Sequence, residues 1–381
     1  MKKVIVLGGG MIGSVIAADL CNEYDVTIAD KNSKRLSFLE TQDKLKTTVW
    51  DFSDKPDINN LIEDFNLVIG AVPGNIGFET LRAILSAGKN VVDISFFERD
   101  PFELDELATE MNITAVIDCG ISPGLSNIIL GFHNEWMEIE SYKCYVGGLP
   151  FKKYWPFNYK AFFSPVDVIQ EYIRSARIVS NSKVIVKEAL SDPEMIEFDE
   201  VGTLEAFNTD GLRTLIKTMK IPNMIEKTLR YPGHRELMKI FRETGFFSYD
   251  EINIGNQVIR PIDLTSRLLF SQWEAKDEDD EFTMLRIEIR GKEGDEKKKY
   301  VYEVFDRYDK ENKTTSMART TGFTCTAVAR LILEGNLKSK GILPPEYIGA
   351  IPGYKDKVLN MLKQKNITIR VSENMMGQLN N

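Results

Sequence analysis

The stretch Val4-Ile5-Val6-Leu7-Gly8-Gly9-Gly10-Met11-Ile12-Gly13 decides the fold. An apolar run of strand length ends in Gly8-x-Gly10-x-x-Gly13 and passes at once into a helix-like segment, Ser14 to Asn22. In this pattern the first glycine permits a tight turn, the second lets backbone approach a pyrophosphate, and the third lets helix pack closely on sheet. Free N–H groups at the helix start then face the phosphates. Gly8, Gly10 and Gly13, with Met11 and Ile12 between them, are candidate cofactor contacts. A second strand, Asp25 to Ala29, delivers Asp30 twenty residues after Gly10, where an acid would bond a ribose hydroxyl. That carboxylate repels a 2′-phosphate and so favours NAD over NADP, with the adjoining Lys31 offsetting this in part.

Working outward, the βαβ alternation continues. A helix over Ser33–Leu39 leads to a strand, Lys46 to Trp50, that ends at Asp51. An acid there either meets the adenine edge or is a solvated strand end. Asn60 to Phe65 reads as helix, and Asn66 to Gly74 as a buried strand entering a turn whose Ala71, Val72 and Pro73 offer backbone to the nicotinamide ribose. A helix over 77–87, a strand over 90–95, a helix over 102–111 and a strand over 113–118 follow. Six strands separated by helices imply an α/β fold with a doubly wound parallel sheet, a Rossmann domain over 1–125. Ligands of such sheets bind at the carboxyl strand ends, where Ser95 and Gly120 fall.

The texture then changes. A helix over 126–137 leads out of the sheet. Runs at 141–146, 183–186, 282–290 and 299–306 alternate apolar with polar residues, as antiparallel strands with one covered face do. Leu212–Met219 and Arg235–Glu243 read as helices between them. Residues 126–310 are thus expected to form an α+β substrate domain. The acidic run 274–281 and Lys297–Lys299 read as solvated hairpin flanks. Thr321 to Gly335 is an amphipathic helix with small residues on one side, expected to return to the nucleotide sheet within a C-terminal segment, 311–381.

Composition narrows the function classes. The chain has 381 residues, 43% of them hydrophobic, enough for two cored domains. A net charge of −9 argues against a nucleic-acid surface, which needs a positive field. No apolar run is long enough to span a membrane, and the first strand leaves no room for a signal peptide. Cys21, Cys119, Cys144 and Cys325 are scattered without a CxxC pair, and only His133 and His234 occur. Neither a disulfide framework nor a metal centre is expected, and a cytoplasmic location is.

Four motifs now carry a resemblance. They are Asp118-Cys119-Gly120-Ile121-Ser122-Pro123-Gly124-Leu125-Ser126-Asn127, Glu205-Ala206-Phe207-Asn208-Thr209-Asp210-Gly211, Thr228-Leu229-Arg230-Tyr231-Pro232-Gly233-His234 and Arg319-Thr320-Thr321-Gly322. In this order they resemble the saccharopine dehydrogenase family. The resemblance implies a Rossmann domain interrupted by an α+β substrate and dimerisation domain, and a homodimer. Two departures bear on substrate. Saccharopine reductases carry an aspartate where this chain has Ser122, and an arginine where it has Thr209. Such an arginine suits a substrate carboxylate, so its loss suggests a ligand with fewer carboxylates than saccharopine. The variant looks more like the branch that oxidises the side-chain amine of L-lysine with NAD. Reductive condensations that make saccharopine or a carboxylated polyamine, or a non-enzymatic NAD-binding scaffold, are the alternatives.

Amine oxidation needs a base tuned near neutrality, and the residues do not single one out. His234, after a Pro-Gly turn, is a candidate catalytic residue pointing into a cleft, or an ordinary surface or capping histidine. Asp210 and Glu205 either hold the cationic amine or serve as helix N-terminal charge before Leu212. Arg230 and Arg319 are candidates for the α-carboxylate, with Ser122, Asn208 and Thr209 completing the substrate contacts. Tyr159-Lys160 and Glu171-Tyr172 are weaker candidates, and His133 reads as structural.

Overall fold

Short apolar runs build the centre of the first sheet. Val4, Ile5, Val6, Leu7, Val68, Ile69, Val91 and Val92 are all inaccessible to solvent, as strands covered on both faces must be. The computed structural model describes residues 1–40, 45–53, 58–162, 165–276 and 279–375. Its chain divides into two units: Met1–Glu135 with Ala318–Ile367, and Trp136–Met317 with Thr368–Asn381.

In the first unit seven parallel strands lie in the order Gly341–Leu343, Thr114–Val116, Val91–Asp93, Leu67–Gly70, Lys3–Leu7, Asp25–Asp30, Lys46–Val49. The order reverses at Lys3–Leu7, which makes the sheet doubly wound, as expected. Gly341–Leu343, too short to show a period, is an additional edge strand. Asp105 holds it by accepting the Ile342 N–H at 2.8 Å, and a Cβ on Gly341 would come within 2.5 Å of that same carboxylate. The returning helix, Ser316–Leu333, packs by its small residues: a Cβ on Gly322 would touch Val15 and Ile16 at 3.4 Å. Buried Asp19 pairs with Arg330 at 2.8 Å and also with Lys365.

The second unit is built on a nine-stranded mixed sheet. Its main path runs Glu194–Phe198, Gly202–Asn208, Asn223–Arg230, Glu138–Pro150, Glu281–Glu293, Glu296–Arg307, Ile369–Met375. The Ala176–Ser180 and Lys183–Lys187 hairpin joins at Asn223–Arg230. Only the pairing of Asn223–Arg230 with Glu138–Pro150 is parallel among these. Helices Pro165–Ile173, His234–Glu243 and Pro261–Trp273 belong to this unit.

Three expectations change. The helix after Gly124, Leu125–Asn134, stays in the first unit, so the first crossing falls at 135/136 and not at 125/126. Close packing explains this: a Cβ on Gly131 would lie 1.9 Å from the Glu346 carbonyl. The C-terminal segment is shared, because Ile369–Met375 pairs antiparallel with Glu296–Arg307 in the second sheet. The acidic run is not all solvated. Asp277 and Glu278 lie outside the described residues, but Glu281 is wholly buried and accepts the Ser316 N–H and, at 2.6 Å, its hydroxyl. Lys298 and Lys299 are tied to Glu293, Glu373 and Glu288. Among the described residues no helix is long and apolar enough to cross a membrane. All four cysteines are buried free thiols.

Candidate functional site

The first unit holds a candidate dinucleotide cradle. Gly8 has φ +107°, and a Cβ there would lie 2.3 Å from the Ala71 carbonyl oxygen. A Cβ on Gly13 would lie 2.0 Å from the Gly8 carbonyl oxygen. Both glycines are thus fixed by the fold itself. Gly10 is different: nothing lies within 4 Å of its missing Cβ. It caps helix Met11–Leu20, whose first turn carries no acid to compete with an anion, while Met11 is exposed and Ile12 half-buried beside it. The open space at Gly10 fits a phosphate laid on the helix start. Asp30 braces the cradle, since its two oxygens accept the N–H groups of Gly9 at 2.7 Å and Asn32 at 2.8 Å.

The other predicted cofactor residues divide. Asp51 is exposed beyond its strand, and hydrogen bonds from the Ser53 hydroxyl and N–H, with nearby Lys31, hold its carboxyl below the usual range. A recess of about 280 Å³ lined by Phe52, Ser53, Ile58, Ile76 and Thr80 adjoins it. Ala71, Val72 and Pro73 form the turn into helix Gly74–Ser86, with the Ala71 N–H bonded to the Leu7 carbonyl. Ser95 turns inward, is 3% exposed, and bonds Asp93 through its N–H at 2.8 Å. The Gly120 N–H is taken by the Pro123 carbonyl. The N–H groups of Ser95 and Gly120 are thus both taken within the chain. A bound nicotinamide dinucleotide would rest on Gly8–Gly13 and Asp30 and would supply the hydride acceptor.

Of the substrate candidates, Ser122 and Arg319 fall in the first unit. The Ser122 hydroxyl accepts from Ser126 at 3.2 Å, and the Arg319 guanidinium donates to the Lys365 carbonyl at 2.9 Å. The others fall in the second unit, most of them about one face of strand Asn223–Arg230, while Asn208 stands opposite Lys227 on the other face. Side chains alternate along a strand, so Glu226, Thr228 and Arg230 share that face. Glu205 and Phe207 of the neighbouring strand stand opposite Arg230 and Thr228.

Arg230, 2% exposed, anchors the cluster. It donates to Glu171 at 2.7 Å, to the Leu229 carbonyl at 2.9 Å and, through Nε, to the Tyr172 hydroxyl at 3.2 Å. Its guanidinium also lies 4.6 Å from the Tyr159 ring centre. The Tyr172 hydroxyl stands 2.9 Å from His234 Nε2, and His234 Nδ1 stands 2.8 Å from the Phe157 carbonyl oxygen. A carbonyl only accepts, so Nδ1 carries the proton and Nε2 receives the Tyr172 hydroxyl. Burial and then the Arg230 charge push His234 down to about 3, which keeps the ring neutral.

The expectation that His234 opens into a cleft therefore fails. It is 1% exposed and both nitrogens are committed, so it positions Tyr172 and has no lone pair left for a substrate. Asp210 is likewise committed: both oxygens hold the Arg177 guanidinium, at 2.9 and 2.8 Å, and one takes the Arg177 N–H. Glu205 binds Arg235 at 2.7 Å and the Gly233 N–H at 3.3 Å. Neither acid serves a helix at Leu212, because that helix shrinks to Leu215–Thr218; Glu205, in a strand, instead meets the start of helix His234–Glu243 through the Gly233 N–H. The Asn208 amide bonds Ser191 and Asp192 and ties down that loop.

Thr209 leads to the residue the sequence did not offer. Its hydroxyl donates to Glu226 Oε2 at 2.7 Å and lies 2.9 Å from the Thr228 hydroxyl. The Gly211 N–H also bonds Glu226, and the carboxyl fills the place of Gly211's Cβ, 2.3 Å away. Glu226 is 5% exposed, and burial with nearby Glu171 and Asp210 pushes it up to about 8. The signal was present as period two, Glu226-x-Thr228-x-Arg230, but became readable only once the segment was known to be a strand.

With the geometry in hand, comparison with known proteins is informative. Residues 4–116 match the family model described as saccharopine dehydrogenase NADP binding domain, and 116–367 match the saccharopine dehydrogenase C-terminal domain. The chain is 22% identical to the saccharopine dehydrogenase [NADP(+), L-glutamate-forming] of Saccharomyces cerevisiae, over 96% of this chain and 97% of that one. It is 22% identical to the mitochondrial alpha-aminoadipic semialdehyde synthase of Rattus norvegicus over 90% of this chain, and spans 45% of that longer protein. Apo saccharopine dehydrogenase (L-Glu forming) from Saccharomyces cerevisiae superposes with a TM-score of 0.79 at 18% identity, covering 98% of this chain and all of the other. That likeness extends the shared fold to the whole molecule.

Proposed function

Since the chain belongs to the saccharopine dehydrogenase family, we propose that it is a nicotinamide-dependent dehydrogenase oxidising the side-chain amine of L-lysine. The products are aminoadipate semialdehyde or its cyclic imine, ammonia and the reduced cofactor. One observation carries the choice of lysine over saccharopine. Arg177, Arg230 and Arg235 are each committed to an acid of the chain itself, and Thr209 stands where saccharopine reductases place an arginine. A substrate with a single carboxylate suits such a surface better than one with three.

The chemistry asks this chain for three things. It must hold the carbon that loses hydride about 3–3.5 Å from its acceptor, leave the amine unprotonated, and admit water to the resulting imine. The Arg230–Tyr172–His234 chain keeps the floor of the second-unit cluster rigid. The base is not His234, whose Nε2 is occupied.

We assign NAD as the preferred cofactor. The Asp30 carboxylate, fixed by two backbone N–H groups, sets a negative charge where a 2′-phosphate would lie. The matched domain and the yeast relative carry NADP in their names, which makes cofactor choice part of the test. The experiment follows the absorbance of the reduced cofactor with NAD or NADP and L-lysine, L-ornithine or saccharopine. Lysine turnover with NAD and ammonia release is the expected result. The names of the relatives favour a second reading, and turnover of saccharopine alone would establish it and sink the first.

A further inference from the structure

Four acids lie on or beside the inner face of strand Asn223–Arg230, and three have a cation of their own. Glu171 pairs with Arg230, Glu205 with Arg235, and Asp210 with Arg177, each within 2.8 Å. Glu226 is the exception. Among the described residues no lysine or arginine pairs with it, although it is more than nine-tenths buried. A buried carboxyl without a counter-charge is costly to ionise, so Glu226 stays neutral until a cation comes beside it.

The surroundings of that carboxyl are built, not accidental. Thr209 and Gly211 supply two hydrogen bonds to the carboxyl, and Thr228 holds Thr209 in turn. Gly211 is half-buried and covers the carboxyl with backbone alone, because a Cβ there would fall on Glu226 Cδ. The acids nearest Glu226 are Glu171 on helix Pro165–Ile173 and Asp210 on the loop, and Cys144 is its register neighbour on the next strand. The cations of this face, Arg230 and Arg177, are taken up by Glu171 and Asp210. A cation arriving here meets one free acid and two spectator acids.

We infer that Glu226, seated under Thr209 and Gly211, is the specificity-determining residue that receives the primary ammonium group of the substrate's side chain. This deepens the lysine reading and rests on it. Binding has a definite proton balance: the neutral Glu226 carboxyl gives its proton to solvent, and the ammonium takes its place as partner of the carboxylate. Glu226 can then accept a proton from the ammonium, leaving the amine lone pair that hydride loss requires. With the acid at about 8, the exchange falls in the neutral range.

The test is calorimetry on the full chain with cofactor, titrating L-lysine at pH 7 in phosphate and in Tris, so that the difference in heat counts protons. L-norleucine, which lacks the ammonium, is the control. Wild type should release close to one proton per lysine and bind lysine at least about tenfold tighter than norleucine. Glu226→Gln should release none, lose the preference, raise KM for lysine and, lacking the proton acceptor, lower kcat as well. Thr209→Lys, which supplies an internal cation, should exclude lysine in a folded protein and keeps the test open if Glu226→Gln does not fold. Lysine turnover with an unchanged KM and proton count in Glu226→Gln overturns the assignment and leaves the lysine reading intact. Turnover of saccharopine alone overturns the lysine reading. The assignment falls with it, because the side-chain nitrogen of saccharopine is a secondary amine. A chain that binds neither compound overturns both.

Discussion

Replacing Glu226 by glutamine should change how stability depends on pH, and the size of the change can be worked out. In the folded chain burial keeps a proton on Glu226 up to about pH 8, whereas the unfolded chain releases it near 4.5. Between those values the native state holds more protons, so stability falls as pH rises. From pH 5 to pH 7.5 the loss integrates to about 3 kcal/mol, taking about 1.4 kcal/mol for each tenfold change in proton affinity. Glutamine has nearly the same shape, keeps an oxygen for Thr209 and Gly211, and does not titrate. The variant should lack this part of the decline. Urea unfolding followed by tryptophan fluorescence at both pH values measures it, since Trp273 is buried in the second unit. The wild-type loss between pH 5 and 7.5 should exceed that of Glu226→Gln by about 3 kcal/mol, equivalent to a relative Tm shift of about 5–10 °C. Parallel curves would mean that Glu226 is already ionised in the free protein, and the reasoning from its burial would fail.

Other outcomes can be checked independently. Gly10→Ala should leave the melting temperature within about 1 °C and weaken dinucleotide binding at least about tenfold. Gly13→Ala, whose Cβ meets the Gly8 carbonyl, should destabilise the fold by about 2 kcal/mol or more. Equal melting losses in the two variants would refute this division. Tyr172→Phe strands Arg230 Nε and His234 Nε2 in the interior and should cost about 2–3 kcal/mol in urea unfolding. His234 itself, held neutral down to about 3, contributes stability that is present above pH 6.5 and lost as the pH falls from there toward about 3. His234→Gln should show a shallower acid limb in a pH–Tm series. Arg330→Met leaves buried Asp19 with Lys365 alone and should cost about 3 kcal/mol, read as a lower denaturation midpoint.

The nucleotide half was legible because its determinants are local. Gly8, Gly10 and Gly13 act within one turn, and Asp30 follows at a spacing set by one βαβ unit. The cluster of the second unit was not, because its pairs join distant segments. Arg177 reaches Asp210 across 33 residues and Arg230 reaches Glu171 across 59. Nothing in the sequence tells which acid keeps a cation and which lacks one. Asp210, Glu205 and His234 were attractive as chemistry-bearing residues near glycines, but each bonds inward. Glu226 was overlooked because Asn223–Arg230 has neither a turn signal nor a clean apolar alternation. Gly341–Leu343 and Ile369–Met375 were missed for another reason: strands of this size take their identity from the edge they join.

The order in which the strands enter their sheets has a consequence for synthesis. The edge strand Thr114–Val116 waits for its partner Gly341–Leu343 until the whole intervening 182-residue segment, Trp136–Met317, has been made. During that interval the nascent first sheet exposes a row of unpaired backbone groups on an apolar strand, the kind of edge that recruits other chains. A ribosome-bound chain of this protein therefore passes through a window of stickiness that the finished molecule no longer shows. Expression at lower temperature, or with a holdase present, should raise soluble yield without altering the activity of the molecules recovered.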